Sequence, residues 1–127
     1  MLVDSSVWID FARDVRSPQV DALTRAVTAR TAMTTDAVRL ELLAGVTRFD
    51  LLASALDACE DLAPLLRVDV EDAAAMYRTC RRAGETIRSL NDCLIAAIAI
   101  RNDVPVLHHD RDFDIIAQHT PLKVVLT

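Results

Sequence analysis

MLVDSSVWIDF, residues 1–11, sets the pattern from which the fold can be read. Its first three residues, Met1-Leu2-Val3, form an apolar run short enough for a buried strand. Asp4 and Ser5 follow with the side chains that helix N-termini prefer, and Val7 to Ala12 has helical character. The same order repeats along the chain. Apolar or β-branched runs return near Thr31-Ala32-Met33-Thr34, at Leu66 to Val70, at Val104 to Leu107 and at Leu122 to Leu126. Between them lie helical segments at Val20 to Ala29, Asp36 to Ala44, Arg48 to Cys59, Glu71 to Ala83, Leu90 to Arg101 and Phe113 to Gln118. This alternation predicts an α/β fold of three layers, α/β/α, with helices on both faces of a central parallel sheet of about five strands.

The chain has 127 residues, 52% of them hydrophobic, which is enough to bury a core without disulfides or a structural metal. No Gly, Ser or Pro-rich linker, repeat or low-complexity stretch interrupts it, so a single domain over residues 1–127 is expected. Cys59, Cys80 and Cys93 are odd in number and far apart, in no zinc-binding or loop-closing spacing. They read as reduced, mostly buried thiols of a cytoplasmic protein. No signal-peptide pattern opens the chain. The longest apolar run, Cys93 to Ile100, is far shorter than the roughly 20 residues that span a bilayer, so no membrane association is expected. The net charge of −5 argues against a nucleic-acid partner if all acids are solvated. It loses that force if several acids surround divalent cations that cancel them locally.

Open parallel sheets place their working residues beyond the carboxyl ends of the strands. Two acids fall there: Asp4 directly after Met1-Leu2-Val3, and Asp110 after Val104 to Leu107 and two histidines. Asp4 reads either as a helix N-cap or as a metal ligand at a strand tip, with the Ser6 hydroxyl nearby to orient a bound water. Asp10 and Asp14 continue along the same helix as solvated charge. Glu41 has apolar neighbours in VRLELLAGV, and a carboxylate in such a segment needs a partner, either a cation such as Arg39 or Arg48, or a metal. Asp92 follows Ser89 at capping-box spacing in the first turn of a helix that is apolar nearly all round, which makes that helix central and its first turn a fixed point at the rim of the sheet. Asp110, Asp112 and Asp114 alternate in HHDRDFD, but Ile115 and Pro121 stand where a calcium loop needs Gly and Glu, so an EF-hand is excluded. Of the two histidines, His108 and His109, one is expected to pack and the other to lie near a phosphate path.

Four strings, LVDSSVWIDF, LELLAG, NDCLIAAIA and LHHDRDFDIIA, in this order and covering almost the whole chain, resemble the PIN-domain family, and within it the VapC-type ribonuclease toxins of bacterial toxin–antitoxin pairs. The resemblance implies that Asp4, Glu41, Asp92 and Asp110 are the catalytic acids. It places the metal on Asp4, Asp92, Asp110 and Asp112, with Ser6 as a supporting polar residue. It further implies Mg²⁺ or Mn²⁺ as cofactor, endonucleolytic cleavage of RNA, a homodimer, and inhibition by a VapB-type antitoxin. Arg88 and the helical face of Arg78, Arg81 and Arg82 are candidate RNA or antitoxin contacts, and they read equally as a solvated basic face.

An all-carboxylate site suits a hard divalent cation that keeps several waters, activates one of them and neutralises charge on a phosphodiester. A phosphoryl-accepting receiver module is disfavoured because the sole lysine, Lys123, lies inside the last expected strand. A haloacid-dehalogenase-type phosphatase is disfavoured because Ser6 stands where its second Asp belongs. The remaining alternative is a catalytically silent PIN-like module that binds RNA or protein.

Overall fold

The structure, a computed structural model, describes residues 1–45, 47 and 49–127. Arg48, expected to open a helix and weighed as a partner for Glu41, lies outside the described residues, as does Val46. Four short strands, β1 (Leu2–Val3), β2 (Met33–Thr34), β3 (Glu60–Asp61) and β4 (Val106–Leu107), pair in parallel in the order β3-β2-β1-β4. Leu2 pairs with Met33 on one side and Val106 on the other, so β1 is central. Leu2, Val3, Val106 and Leu107 are completely buried, as apolar strands between two helical layers must be.

The helices are α1 (Ser5–Ala12), α2 (Pro18–Ala29), α3 (Asp36–Gly45), α4 (Asp50–Asp57), α5 (Leu66–Arg82), α6 (Leu90–Arg101) and α7 (Arg111–His119). From β1 the chain steps outward through β2 to β3, then crosses back to β4 on the far side of β1. Right-handed crossovers therefore put α1 to α4 on one face and α5 to α7 on the other, giving three layers. The contacts agree: α1 packs against α2, α3 and α4, while α5 and α7 pack against each other and both against α6. The reversal leaves a crevice beyond the carboxyl ends of β1 and β4, the usual place for a site in an open parallel sheet.

Two of the five expected strands differ. Leu122 to Leu126 contributes only an isolated bridge, Val106 to Val124, with the Val106 N–H donating to the Lys123 carbonyl at 3.0 Å. Leu66 to Val70 is not a strand but the first turns of α5. Its apolar residues face outward, Leu66 being 69% and Val68 47% exposed, while the polar Asp69 is the buried one. Asp69 accepts the Leu65 N–H at 2.8 Å and holds Arg101 at 2.9 and 3.0 Å, pinning the start of α5 to the end of α6. Burial opposes ionisation of Asp69, but the Arg101 guanidinium and the Leu65 N–H outweigh it and keep the carboxyl below its ordinary range. The sheet position is filled by Glu60–Asp61, an exposed, charged edge strand that carries no apolar signal.

Helix α6 is central, as expected: Ile95, Ala96, Ile98 and Ala99 are fully buried, and its alanines allow close packing against α5. Cys80 and Cys93 are buried and Cys59 half-buried, all as free thiols. Burial pushes the Cys93 thiol up to about 12, so it is inert as a nucleophile. No helix among the described residues is long and apolar enough to cross a membrane.

Candidate active site

Asp4, Asp92, Asp110 and Asp112 sit at or beside the ends of elements, and Glu41 lies in the middle of α3. Asp4 leaves β1 and caps α1, accepting the Ser6 N–H at 3.1 Å and the Ser6 hydroxyl at 2.6 Å on one oxygen. Asp110 follows β4 and caps α7 through the Asp112 N–H at 3.0 Å. Capping and site formation therefore coexist, because a cap uses one carboxylate oxygen and leaves the other. At Asp92 they do not coexist. Ser89 is the N-cap of α6, yet no side-chain cap bond forms, so the expected capping box is absent and the Asp92 carboxylate serves no helix end.

Oxygens of Asp4, Glu41 and Asp92 lie within 4.8 Å of one another, and so do oxygens of Asp92, Asp110 and Asp112. Asp92 belongs to both groups and joins five acids into one cluster. Asp4, Asp92 and Asp112 are buried. Each has one buried oxygen with no hydrogen-bond donor: Asp4 Oδ1, Asp92 Oδ2 and Asp112 Oδ1. Three orphaned carboxylate oxygens in one cluster are costly unless something cationic meets them. An all-oxygen donor set with free valences fits a hard divalent cation.

The electrostatics point the same way. Burial first, and then the charges of Asp4, Glu41, Asp110 and Asp112, push the Asp92 carboxyl up to about 8. Burial raises Asp4, partly offset by its bonds from Ser6. Glu41 is raised by burial and by Asp4. Asp4, Glu41 and Asp92 are thus all harder to ionise than ordinary carboxyls, a cost that a bound cation would offset.

Among the described residues Glu41 finds a neutral partner rather than Arg39. Arg39 lies 3.6 Å from Asp61 and 4.0 Å from Asp36, whereas Glu41 accepts from the Asn91 side-chain amide at 2.9 Å. The same amide donates to the Ala37 carbonyl at 2.9 Å, tying α6 to α3. Of the leucines around Glu41 only Leu42 is buried; Leu40 and Leu43 are exposed.

The Ser6 hydroxyl donates its proton to Asp4, and its oxygen accepts the His109 N–H at 2.9 Å, so Ser6 ties the Asp4 carboxylate to the chain that follows β4. His108 packs its ring against Phe113, with centroids 5.3 Å apart, and its Nε2 lies 3.2 Å from Asp114. His109 is exposed at the rim with Nδ1 2.7 Å from Asp10, so Asp10 is paired rather than merely solvated.

Of the four candidate arginines, the structure brings only Arg88 to the acids. Its terminal nitrogen lies 3.2 Å from Asp110, its Nε 3.6 Å from Asp112, and its backbone N–H donates to Asp112 at 3.0 Å. Arg78, Arg81 and Arg82 are exposed on the last turns of α5, where they suit the negative helix end. Arg81 covers the Tyr77 ring at 5.7 Å.

The PIN domain family model matches residues 1–118 of this sequence. The chain belongs to the PIN domain family. Over 130 aligned positions it is 39% identical to the VapC ribonuclease Mb1587 of Mycobacterium bovis and to the ribonuclease VapC11 of Mycobacterium tuberculosis. Each alignment covers 97% of this chain and 96% of the relative. In this PIN domain the switch-point crevice and the acidic cluster coincide. Two residues there escaped sequence reading, Asn91 and the backbone of His109. Asn91 directly precedes Asp92 and reads as part of a helix start, and only the packing of α3 on α6 shows that it serves Glu41.

Proposed function

We propose that this PIN domain is a metal-dependent endoribonuclease that hydrolyses RNA phosphodiester bonds, and that it is the toxin of a type II toxin–antitoxin pair. The observation that carries this reading is the cluster of five acids with three orphaned buried oxygens at the topological switch point. The relatives, named as VapC ribonucleases, support the choice of RNA as substrate.

Asp4, Glu41, Asp92 and Asp110 are the catalytic acids, and Asp4, Asp92, Asp110 and Asp112 would hold Mg²⁺ or Mn²⁺, with Glu41 grouped with Asp4 and Asp92. When bound, such a cation supplies an activated water and charge neutralisation at the phosphorus oxygens. The protein's part is positioning. Ser6 turns Asp4 inward, Asn91 holds Glu41 in place, and the caps of α1 and α7 fix Asp4 and Asp110 at the strand ends. Asp92, whose carboxyl burial and its acidic neighbours push up to about 8, is the acid whose ionised form such a cation would favour most. The exposed rim at His109 and Arg88 lies where an RNA backbone would approach. The partners are RNA, a VapB-type antitoxin and a second copy of the chain in a homodimer, and the compartment is the cytoplasm.

The test is cleavage of total cellular RNA by the purified, antitoxin-free protein in Mg²⁺ or Mn²⁺, beside an EDTA control and Asp4→Asn. Discrete products that vanish in both controls establish the activity and the site. RNA binding without cleavage, by well-folded protein, would favour the silent module instead.

A further inference from the structure

We propose that the Arg88 guanidinium is the built-in counter-cation of the Asp110–Asp112 half of the cluster, so that each chain takes one divalent cation, at Asp4, Glu41 and Asp92, rather than two. The inference rests on the metal site proposed above and narrows it: Asp4 and Asp92 remain ligands, Glu41 joins them, and Asp110 and Asp112 face Arg88 instead.

The two acid groups share only Asp92 and differ in what faces them. Among the described residues, no arginine, lysine or histidine forms an ion pair with Asp4, Glu41 or Asp92. The second group already has a cation. Arg88 lies 3.2 Å from Asp110 Oδ1 through a terminal nitrogen and 3.6 Å from Asp112 Oδ1 through Nε. The latter distance is too long for a hydrogen bond, which is why Asp112 Oδ1 counts as an orphan although a positive charge sits beside it.

Arg88 is also fastened there by its main chain. Its N–H donates to Asp112 Oδ2 at 3.0 Å, so the side chain starts beside the carboxylates it neutralises. A guanidinium stays charged at every physiological pH and matches carboxylate geometry through its fork of donors. Two-metal sites hold their ions roughly 3.5–4 Å apart, bridged by a shared acid such as Asp92 would be. A second ion bridged from Asp92 to Asp110 and Asp112 would sit beside the Arg88 guanidinium, and like charges repel at that range. The side chain is 64% exposed, so one of its sides remains open to solvent at the rim of the crevice.

Manganese titration tests this on the purified chain, with stoichiometry from calorimetry and ion pairing from electron paramagnetic resonance. The wild type is expected to bind one Mn²⁺ with an uncoupled spectrum. Arg88→Met, which keeps most of the stem and the Asp112 backbone bond, is expected to bind a second Mn²⁺ about 10-fold or more tightly than the wild type does and to show a spin-coupled pair. Arg88→Lys is expected to stay at one. Two equally tight, coupled ions in the wild type would overturn the inference, whatever the variants do. So would a single ion in Arg88→Met with an unchanged melting profile. A wild type that binds no Mn²⁺ would overturn the metal site itself, a result distinguishable from both.

Discussion

Replacing Asp92 by Asn is expected to stabilise the metal-free protein while removing its activity. Asp92 sits in both acid groups, and burial together with four neighbouring carboxylates pushes its carboxyl from the ordinary carboxylate range up to about 8. A carboxyl raised on folding adds no penalty below its unfolded value. It destabilises the fold progressively as pH rises toward its folded value, because ionisation is opposed only in the native state. The penalty grows by about 1.4 kcal/mol for each pH unit above the unfolded value, which sets an upper bound of about 4 kcal/mol at pH 7. Relaxation and water entry reduce this to roughly 2–4 kcal/mol. Asn carries no charge, and its amide can donate to the orphaned oxygens of Asp4 or Asp112. For 127 residues the unfolding entropy converts that gain to a melting temperature about 8–15 °C higher. The assay is thermal unfolding in EDTA from about pH 4 to 8. The advantage should be near zero at the acid end and greatest at about pH 8. Adding saturating Mn²⁺ should raise the wild type by roughly 3 kcal/mol at 100 times its dissociation constant, and the variant by much less. An Asp92→Asn protein that melts at or below the wild type in EDTA at pH 8 would overturn this account, since Asp92 would then be satisfied without a metal.

Asp4→Asn should abolish RNA cleavage and leave the circular dichroism spectrum unchanged, because the remaining carbonyl oxygen still caps α1; retained activity would remove Asp4 from the site. Asn91→Leu should weaken metal affinity and cleavage about 10–100-fold by freeing Glu41, with little effect if Glu41 is not a ligand, as calorimetry and cleavage rates would show. Arg101→Ala leaves the buried Asp69 carboxylate uncompensated and should cost about 3–5 kcal/mol in chemical denaturation, whereas a loss below about 1 kcal/mol would mean that Asp69 is hydrated or protonated in the native state.

Much of the fold is legible in the order of apolar runs and helical segments, because a parallel sheet buried on both faces needs short, continuous apolar strands, and β1 and β4 supply them. That logic fails at Leu66 to Val70 and at Glu60–Asp61 for one reason: it equates apolar with buried. Leu66 and Val68 face outward around a buried Asp69, and β3 is an exposed edge whose pairing is made by backbone groups any residue carries. The acids were visible as candidates, since strand ends and first helical turns are where such side chains gather. Their competing role as caps was equally visible, and local sequence could not separate the two.

Hydrophobic period and residue type are local properties, and they suffice for the alternating layers, the central apolar α6, and the acids at two strand ends and on two helices. Packing alone makes the five acids meet with three oxygens left unpartnered, gives Glu41 the Asn91 amide, and turns Arg88, of the four candidate arginines, toward the cluster. Each of these depends on where α3, α6 and the ends of β1 and β4 sit relative to one another, across separations of 22 to 50 residues for the two side-chain bonds concerned. Spacing along the chain carries no information about angles between packed elements, so convergence of charge is a property of the packing.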